Sequence, residues 1–387
     1  MVKPVYDTST YLERYVDALR FEKPKRVPLE PGRPRNPTLD AWYTQGLPAD
    51  VDYYDYLLES IGIPSEHISK KPREEHLDIS FGMIPPFEEK ILEHRDGHYV
   101  VQERGGAVVE ISDVFEPSVV LRAPVDFVTR KWLSFPVKSR NDWEKIKKRY
   151  PPDLAERIPH DIQQITERLK DREHPILISL YGPFAQAREW MGMEDLCIAF
   201  LDDPELVREM IEFWSDFVSR IVGKLLDFIS VDSIQVSEDM AYKAHSMISP
   251  AMTREFILPV WKRWVGEFKS KGCAIVGIDS DGYIGQLIPL FIEGGFDYTF
   301  PVEVAAGNDI VSFREKYRDC IAFIGGIDKR ALAAGGQIMT DEVNRVVPPL
   351  MELGGFIPGC DHGVPQDISW PNFVEYTKML AKLTGWL

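Results

Sequence analysis

The chain has 387 residues, of which 44% are hydrophobic, 11% aromatic and 27% charged, as in a soluble globular protein with a sizeable core. Its 61 acidic and 45 basic side chains give a formal net charge of -16. That charge opposes binding to phosphate backbones and to anionic lipid surfaces, because both require a concentrated positive footprint. Composition therefore argues against nucleic acid and membranes as partners, and a small-molecule substrate is expected.

The N-terminus, "MVKPVYDTSTYLERYVDALRFEKPKR", lacks the apolar segment of a signal peptide. No apolar run in the chain reaches the roughly 18 residues that span a bilayer, so we expect a cytoplasmic protein. The four cysteines are widely spaced and form no CxxC pair, which indicates neither a disulfide framework nor a zinc ribbon. They are Cys197, Cys273, Cys320 and Cys360.

Residues 1–170 form a variable first part, in which helices and loops are interrupted by prolines and one hairpin. Helices are predicted from Ser9 to Phe21, near Tyr53 to Ile61, and in "NDWEKIKKRY", where Asn141 is the expected cap. "RVPLEP" is predicted as an early strand. In "YVVQERGGAVVEIS" the period of two and the Gly-Gly turn predict a β-hairpin inserted beside the main domain.

After residue 170, short apolar segments alternate with long amphipathic helices. The segments are "PILISLYGP", "DSIQVSED", "AIVGIDSDG", "FDYTFPVE", "IAFIGGID" and "GFIPGCDHG". Strands that alternate with helices at this spacing lie parallel and are joined by crossover connections. These six units, with "RVPLEP" and one further strand from the first part, predict a single (β/α)8 barrel domain over residues 1–387, in which residues 171–387 supply the regular units. No GxGxxG motif opens a helix, which argues against a dinucleotide-binding sheet.

Polar residues follow each predicted strand, and active sites of (β/α)8 barrels lie at these strand ends. Because Asp and Ser after a strand often cap the next helix, each of them also has a structural interpretation. Capping does not explain two carboxylates around Ser280 or an imidazole directly after Asp361. Crowded carboxylates repel one another unless a metal or a cationic substrate neutralises them. The candidate residues are Tyr181, Glu238, Asp239, Asp279, Asp281, Glu303, Asp328, Cys360, Asp361 and His362, with His245 in the loop after Glu238.

From Leu180 to the C-terminus, the chain carries several motifs in a fixed order. They are "YGPFAQAREWMGMEDL", "LDDPELVREMIEFWSDF", "ISPAMTREFILPVWKRW", "GGIDKRAL" and "HGVPQDISWPNF". Together they resemble the uroporphyrinogen decarboxylase superfamily, which also contains zinc-dependent methyltransferases that act between corrinoids and thiols. The resemblance implies a single distorted (β/α)8 barrel, in agreement with the strand count.

The decarboxylase branch of that superfamily binds a polyanionic tetrapyrrole through arginines in an N-terminal motif. The comparable region here, "PLEPGRPRNPTLDAW", offers Arg33 and Arg35 without the motif, while His362 in "DHGVP" matches the branch's His-Gly element. Carboxylates at the strand ends repel a polyanion, and only Lys329 and Arg330 are expected nearby to offset them. A decarboxylase or other lyase acting on a tetrapyrrole or another carboxylated substrate is therefore the alternative prediction.

The methyltransferase branch binds zinc through a His-x-Cys pair after one strand and a cysteine after the last strand. At the comparable positions this chain has Asp279 and Asp281, and it keeps Cys360. The resemblance therefore implies a metal site formed by these three residues, holding zinc or a harder ion such as manganese. It also implies a corrinoid supplied by a partner protein.

The first functional prediction is a metal-assisted methyltransferase that moves a methyl group between a corrinoid, or a methylated small molecule, and a thiol or pterin acceptor. His362, Glu238 and Asp361 are the predicted catalytic residues, because a positioned imidazole or carboxylate can move a proton. A barrel that only binds a small molecule is a third hypothesis, and either a monomer or a homodimer is expected. The predicted substrate-binding residues are Tyr181, Asp239, Glu303, Asp328 and His245.

Overall fold

The computed structural model describes residues 9–63, 74–114 and 130–387, whose strands form two sheets. The first sheet contains seven parallel strands and the second contains four antiparallel strands. In chain order the strands are β1 (Glu75–His76), β2 (Lys90–Arg95), β3 (His98–Gln102), β4 (Val108–Ser112), β5 (Lys131–Ser134), β6 (Ile176–Tyr181), β7 (Ser233–Ser237), β8 (Ile275–Asp279), β9 (Tyr298–Phe300), β10 (Ala322–Ile327) and β11 (Phe356–Cys360).

The parallel sheet has the strand order β1-β6-β7-β8-β9-β10-β11 and confirms the predicted α/β architecture. Each of the six predicted apolar segments contains one of the strands β6 to β11, and every neighbouring pair runs parallel. β1 supplies the further strand expected from the first part of the chain by pairing with β6. The strands are rich in Ile, Val and Phe, as strands covered on both faces require.

The "RVPLEP" segment lies beside β11, at the edge of the sheet opposite β1. The Cys360 amide donates a 3.1 Å hydrogen bond to the Pro31 carbonyl, and Pro34 forms a parallel bridge with Val364. Pro28, Pro31 and Pro34 have no N–H group, so this segment cannot donate along a continuous ladder. The described residues therefore form seven ladder strands, and closure into eight strands stays a prediction.

Helices follow the strands of the parallel sheet. None of the described helices combines the length and the apolar stretch that a bilayer crossing requires. The helix that begins at Leu258 is preceded by a short turn, Pro250–Met252, and by a π-helical turn, Thr253–Ile257. Short 3-10 turns occur at Ala155–Arg157 and Val304–Ala306. The main α-helices are α1 (Tyr11–Leu19), α2 (Asn36–Tyr43), α3 (Tyr53–Ser60), α4 (Arg140–Lys147), α5 (Ile162–Arg168), α6 (Pro183–Met191), α7 (Met193–Asp202), α8 (Pro204–Leu226), α9 (Leu258–Ser270), α10 (Ile288–Gly294), α11 (Ile310–Tyr317), α12 (Lys329–Ala334), α13 (Gly336–Leu353) and α14 (Trp370–Leu383).

The predicted helices and hairpin of the first part are present as α1, α3, α4 and the β3/β4 pair. The cap of α4 differs from the prediction, because the Ser139 side chain, not that of Asn141, accepts the Asp142 amide. Asn141 lies inside the first turn, so its side chain is past the capping position. In the hairpin, Gly106 has φ 88°, a left-handed conformation that suits glycine at a tight turn.

The two faces of the parallel sheet bury different side chains. On the inner face, Ile275, Tyr298 and Ile357 cluster with Tyr15 and Leu19 of α1. Alternate residues of the same strands point outward into the main core between strands and helices. Helix α1 therefore fills the inner face toward the amino ends of the strands. The inner face at their carboxyl ends is left to polar residues.

Candidate active site

Four neighbouring strands end in one row of side chains on the inner face of the sheet. Tyr181 pairs in register with Ser237, Ser237 with Asp279, and Asp279 with Phe300. Tyr298, two residues before Phe300, belongs to the inner cluster, so the row lies on the same face. Tyr181 is 50% exposed, which leaves one end of the row open to solvent. The sheet register thus places a hydroxyl and a carboxylate between two aromatic rings.

Three carboxylates, called here the carboxylate cluster, gather at this row: Asp239, Asp279 and Asp281. Their ligand oxygens lie within 4.8 Å of one another. The Ser237 hydroxyl donates a 3.1 Å hydrogen bond to Asp279, and the Asp281 amide donates one of 3.4 Å to Asp239. Burial raises the pKa of Asp279 to about 7, and the charges of Asp239 and Asp281 act in the same direction. At neutral pH, Asp279 therefore populates both protonation states.

His362 lies beside the cluster between an acidic and a basic partner. Its Nε2 is 3.4 Å from an Asp281 carboxylate oxygen, and its Nδ1 is 2.7 Å from Nη2 of Arg35. A guanidinium only donates hydrogen bonds, so Nδ1 accepts and the ring proton resides on Nε2, facing Asp281. The hydrogen bond with Asp281 raises the pKa of His362, although burial opposes it. For Asp281, burial raises the pKa, but the His362 hydrogen bond and charge lower it overall.

Glu303 connects this group to Lys329. The carboxylate accepts a 3.0 Å hydrogen bond from the Gly282 amide, and Nζ of Lys329 lies 3.2 Å from its other oxygen. Glu303, Asp281 and His362 also place ligand atoms within 4.8 Å of one another. Lys329 thus supplies a positive charge to the site, whereas Arg330 pairs with Asp328 at 2.8 Å.

Arg188 is a site residue that the sequence did not reveal. It donates a 2.7 Å hydrogen bond to the Asp239 carbonyl, and Nη2 lies 3.7 Å from the Asp239 carboxylate. Asp239 has φ 42°, a region that few residues other than glycine adopt, and this contact helps to hold it there. With Arg35, Arg188 and Lys329 present, the site carries more positive charge than the two cations predicted from sequence.

Glu238 and Asp361 lie behind the site rather than in it, and both are 0% exposed. Glu238 accepts 3.0 Å hydrogen bonds from the amides of Phe184 and Ala185 and one of 2.7 Å from the Trp261 indole. Burial raises the pKa of Glu238 to about 7, although these hydrogen bonds lower it. The predicted proton-transfer role of Glu238 finds no support here, because its oxygens face helices α6 and α9.

Asp361 holds together the loops after three strands. Its carboxylate accepts hydrogen bonds from the Val304 amide at 2.8 Å and the Lys329 amide at 3.1 Å. Asp361 itself follows β11, whereas Val304 follows β9 and Lys329 follows β10. The geometry therefore favours a bracing role over the predicted catalytic role.

Asp328 and His245 lie at the periphery. Asp328 caps α12 by accepting a 2.9 Å hydrogen bond from the Arg330 amide, the structural alternative noted for such residues. His245 is exposed in a turn, where its carbonyl accepts the Tyr242 amide at 2.8 Å. That turn contacts the site through the Tyr283 amide, which donates to the Tyr242 carbonyl at 2.9 Å. Neither residue belongs to a group of converging ligand atoms in the described part of the chain.

Cys360 is not in the group of converging ligand atoms that contains Asp279 and Asp281, so the described residues do not form the three-residue metal site predicted from the sequence. Phe356 and Cys360 lie on the same face of β11 and pack in the main core, whereas Ile357 lies on the inner face of the sheet. Burial raises the pKa of the Cys360 thiol to about 12, and the nearby charge of Asp361 acts in the same direction. In the described part of the chain, neither group of converging ligand atoms contains Cys360. A thiolate zinc site therefore does not fit, while the oxygen-rich clusters suit a hard cation.

A cavity of about 420 Å³ adjoins the site on its basic side. Arg35, Lys329, Arg330 and Asp367 line it, together with Ala333, Gly363 and Pro365. Arg35 and Lys329 also contact His362 and Glu303, so two of the residues that line the cavity belong to the site beside the carboxylate cluster. We call it the basic cavity.

Polar side chains at the carboxyl ends of parallel strands, with helices after the strands, define an α/β protein with a candidate site at one edge of its parallel sheet. Residues 106–382 match the family model of uroporphyrinogen decarboxylase (URO-D). The match covers more than half of the sequence, and the chain belongs to the URO-D family. The resemblance inferred from the motifs is thereby confirmed.

Solved structures align with this chain at low sequence identity. A methyltransferase from Methanosarcina mazei aligns with a TM-score of 0.53 and 13% identity over 97% of this chain and 98% of that chain. A B12-independent methionine synthase from Shewanella sp. W3-18-1 aligns with a TM-score of 0.39 and 13% identity over 57% of this chain and 66% of that chain. No curated protein matches the sequence significantly. The first alignment shows a fold shared along nearly the whole chain.

Proposed function

We propose that the chain is a methyltransferase that moves a methyl group from a methylated donor, either a corrinoid on a partner protein or a small molecule, to a thiol or pterin acceptor. The observation that carries the proposal is the convergence of Asp239, Asp279 and Asp281 beside His362 at the carboxyl ends of the strands. The fold shared with a methyltransferase supports it. Membership of the URO-D family, which includes such enzymes, is consistent with it.

Asp279 is the proposed proton acceptor. In transfer to a thiol, a sulfur lone pair forms the new bond to the methyl carbon while the bond to the donor breaks and its electron pair stays with the donor. The thiol must lose its proton, and a base with a pKa near the working pH does this best. Asp279 meets that condition, because burial raises its pKa to about 7. Its protonation also relieves repulsion from Asp239 and Asp281.

The open side of the site suits a donor delivered by another protein. A methylated corrinoid, when presented by its carrier, supplies a methyl group bonded to cobalt. This chain leaves Tyr181 half exposed at the end of the strand row, and Tyr242 is 75% exposed on the neighbouring turn. Both offer aromatic surface to an approaching partner.

Methyl transfer is tested by incubating the protein with a methylated corrinoid protein and a small thiol. We expect a methyl thioether by mass spectrometry and loss of the methyl-cobalt absorbance. Asp279→Asn removes the base and should lower turnover by roughly 100-fold or more. Exposed Asp171→Asn, which changes the same charge elsewhere, should leave turnover unchanged.

A carboxy-lyase is the second candidate, favoured by the basic cavity, because Arg35, Lys329 and Arg330 can hold a carboxylate. The same preparation is therefore incubated with uroporphyrinogen. Carbon dioxide release at an ordinary enzymatic rate, without thioether formation in the first assay, would overturn the methyltransferase proposal and establish this alternative.

A further inference from the structure

The site has two halves of opposite charge that meet at His362. The acidic half is the carboxylate cluster, whose oxygens lie within 4.8 Å of one another. The basic half is the cavity lined by Arg35, Lys329 and Arg330, with Asp367 as its acidic lining residue. Lys329 and Arg330 also pair with Glu303 and Asp328, but each terminal group has further N–H donors for an anion. A ligand that spans both halves needs a positive end and a negative end.

Aromatic residues stand at both ends of the strand row that contains Asp279. Tyr181 and Phe300 are the outer members of the row in which Ser237 and Asp279 are the inner members. Ring faces carry a negative quadrupole, and together with carboxylates they recognise methylated cations, whose charge is spread over methyl groups. A metal ion gains nothing from aromatic rings, because it binds to lone pairs. The Cys360 thiol, at the position of a ligand in the family's zinc sites, packs in the main core here.

We propose that the methyl donor is a small zwitterion. Its methylated ammonium or sulfonium group lies between Tyr181 and Phe300 against the carboxylate cluster, and its carboxylate enters the basic cavity. This inference rests on the proposed function and deepens it by naming the donor class. The substrate's positive charge then balances the carboxylates that no zinc site of the family's type neutralises.

The transfer balances in atoms and charge. The sulfur lone pair of a thiol forms a bond to one methyl carbon, while the electron pair of the carbon–nitrogen bond passes to nitrogen. The products are a neutral thioether, a neutral tertiary amine and one proton, which Asp279 accepts. The cluster loses one negative charge as the substrate loses its positive charge, so the site remains balanced through the reaction.

Binding of three matched probes tests the inference without requiring turnover. Trimethylammonioacetate carries both charges, 3,3-dimethylbutanoate has the same shape without the positive charge, and tetramethylammonium lacks the carboxylate. Isothermal titration calorimetry should show that the zwitterion binds roughly tenfold more tightly than either single-charge probe. Aminoacetate, which lacks the methyl groups, should bind more weakly than trimethylammonioacetate.

Two variants should separate the halves of the site. Asp279→Asn should weaken binding of the zwitterion and of tetramethylammonium by roughly tenfold and leave 3,3-dimethylbutanoate unaffected. Arg35→Gln should weaken the zwitterion and 3,3-dimethylbutanoate similarly and leave tetramethylammonium unaffected. Asp171→Asn and Arg220→Gln, both on exposed side chains, serve as controls without effect.

The aromatic contribution is tested at Tyr181. Tyr181→Phe keeps the ring and should retain the preference for the methylated cation, whereas Tyr181→Leu keeps only apolar bulk and should lose it. Equal affinities for trimethylammonioacetate and 3,3-dimethylbutanoate would overturn the inference. So would stoichiometric zinc that is lost in Asp279→Asn.

Failure of this inference is distinguishable from failure of the proposed function. If thioether forms from the methylated corrinoid protein but the zwitterion does not bind, only the donor class is wrong. If the zwitterion binds and is weakened by both Asp279→Asn and Arg35→Gln, but no donor yields thioether, the two halves of the binding site are established and the methyltransferase proposal fails.

Discussion

His362 is held in one tautomer by two partners from distant parts of the chain. Arg35 donates to Nδ1, so the ring proton faces Asp281 from Nε2. A second proton can enter only at Nδ1, where it would displace the guanidinium. The residue is thus a hydrogen-bond donor toward the carboxylate cluster, and its use as a base requires Arg35 to move.

The pKa of His362 should fall when its acidic partner is removed. The Asp281 hydrogen bond is the main reason that this pKa is raised, so Asp281→Asn leaves burial and Lys329 to favour the neutral ring. The titration is followed by NMR of the imidazole carbon resonances. Asp319→Asn, on an exposed loop, is the control. A pKa that does not change would show that the contact is absent in solution.

Replacement of Cys360 tests whether this residue is a metal ligand or a thiol that only packs in the core. The side chain is 6% exposed and lies in the main core, so Cys360→Ala should lower the free energy of unfolding by about 1 kcal/mol and leave turnover within about twofold of wild type. Urea unfolding and the thioether assay measure the two effects. A loss of turnover together with bound metal would restore the cysteine to the site.

The sequence correctly predicted that Asp239, Asp279, Asp281 and His362 lie near one another, because residues that follow parallel strands meet at one edge of a sheet. It did not place Cys360, because the face of a strand's last residue depends on register with its neighbours. Arg188 was also missed. Its partner Asp239 is 51 residues away and lies after another strand.

Glu238 joins three elements behind the strand row. It follows β7, accepts two amides at the start of α6 and accepts the Trp261 indole of α9. Gly182, just before α6, makes this arrangement possible, because a Cβ at that position would meet the Glu238 carboxylate. The start of α6, and with it Arg188, is therefore positioned by a buried carboxylate.

Gly182→Ala should disturb this junction. The added methyl group meets a fully buried side chain, so we expect a loss of about 2 kcal/mol in the free energy of unfolding and weaker probe binding through displaced Arg188. Gly266→Ala is the matched control, because a Cβ there contacts nothing within 4 Å, and an exposed helical alanine stabilises by about 0.5 to 1 kcal/mol. Equal effects of both substitutions would show that the junction tolerates the methyl group.

The elements themselves were largely predictable from sequence. The six strands after residue 170 are recognisable in the sequence as short apolar segments between turn residues. Boundaries were less predictable, as the shift of the α4 cap from Asn141 to Ser139 shows, since both residue types cap helices well. Among the described residues, "RVPLEP" does not add a ladder strand, because its prolines keep the segment extended without a full set of N–H donors.

For the whole molecule, α1 closes the end of the inner face that is opposite to the site. Leu19 is 1% exposed in the cluster formed with Ile275, Tyr298 and Ile357. The packed cluster and the candidate site thus lie at opposite ends of the same strands.

Leu19→Ala should therefore lower stability without changing the site. A buried leucine truncated to alanine costs about 2 to 5 kcal/mol, and urea unfolding measures the loss. Leu201→Ala is the control, because that side chain is 75% exposed on α7 and its removal should change stability by no more than about 0.5 kcal/mol. Folded Leu19→Ala protein should bind trimethylammonioacetate with unchanged affinity. A parallel loss of affinity would show that the two ends are coupled.

The contact between Arg35 and His362 joins residues that are 327 positions apart in the chain. On the ribosome, at about 5 to 20 residues per second, Arg35 emerges roughly 15 to 65 seconds before its partner is made. During that interval the segment around Pro31 also lacks β11, the strand it lies against in the finished protein. The nascent chain therefore carries an incomplete pocket until β11 and His362 have been made, and ligand binding can begin only after that point.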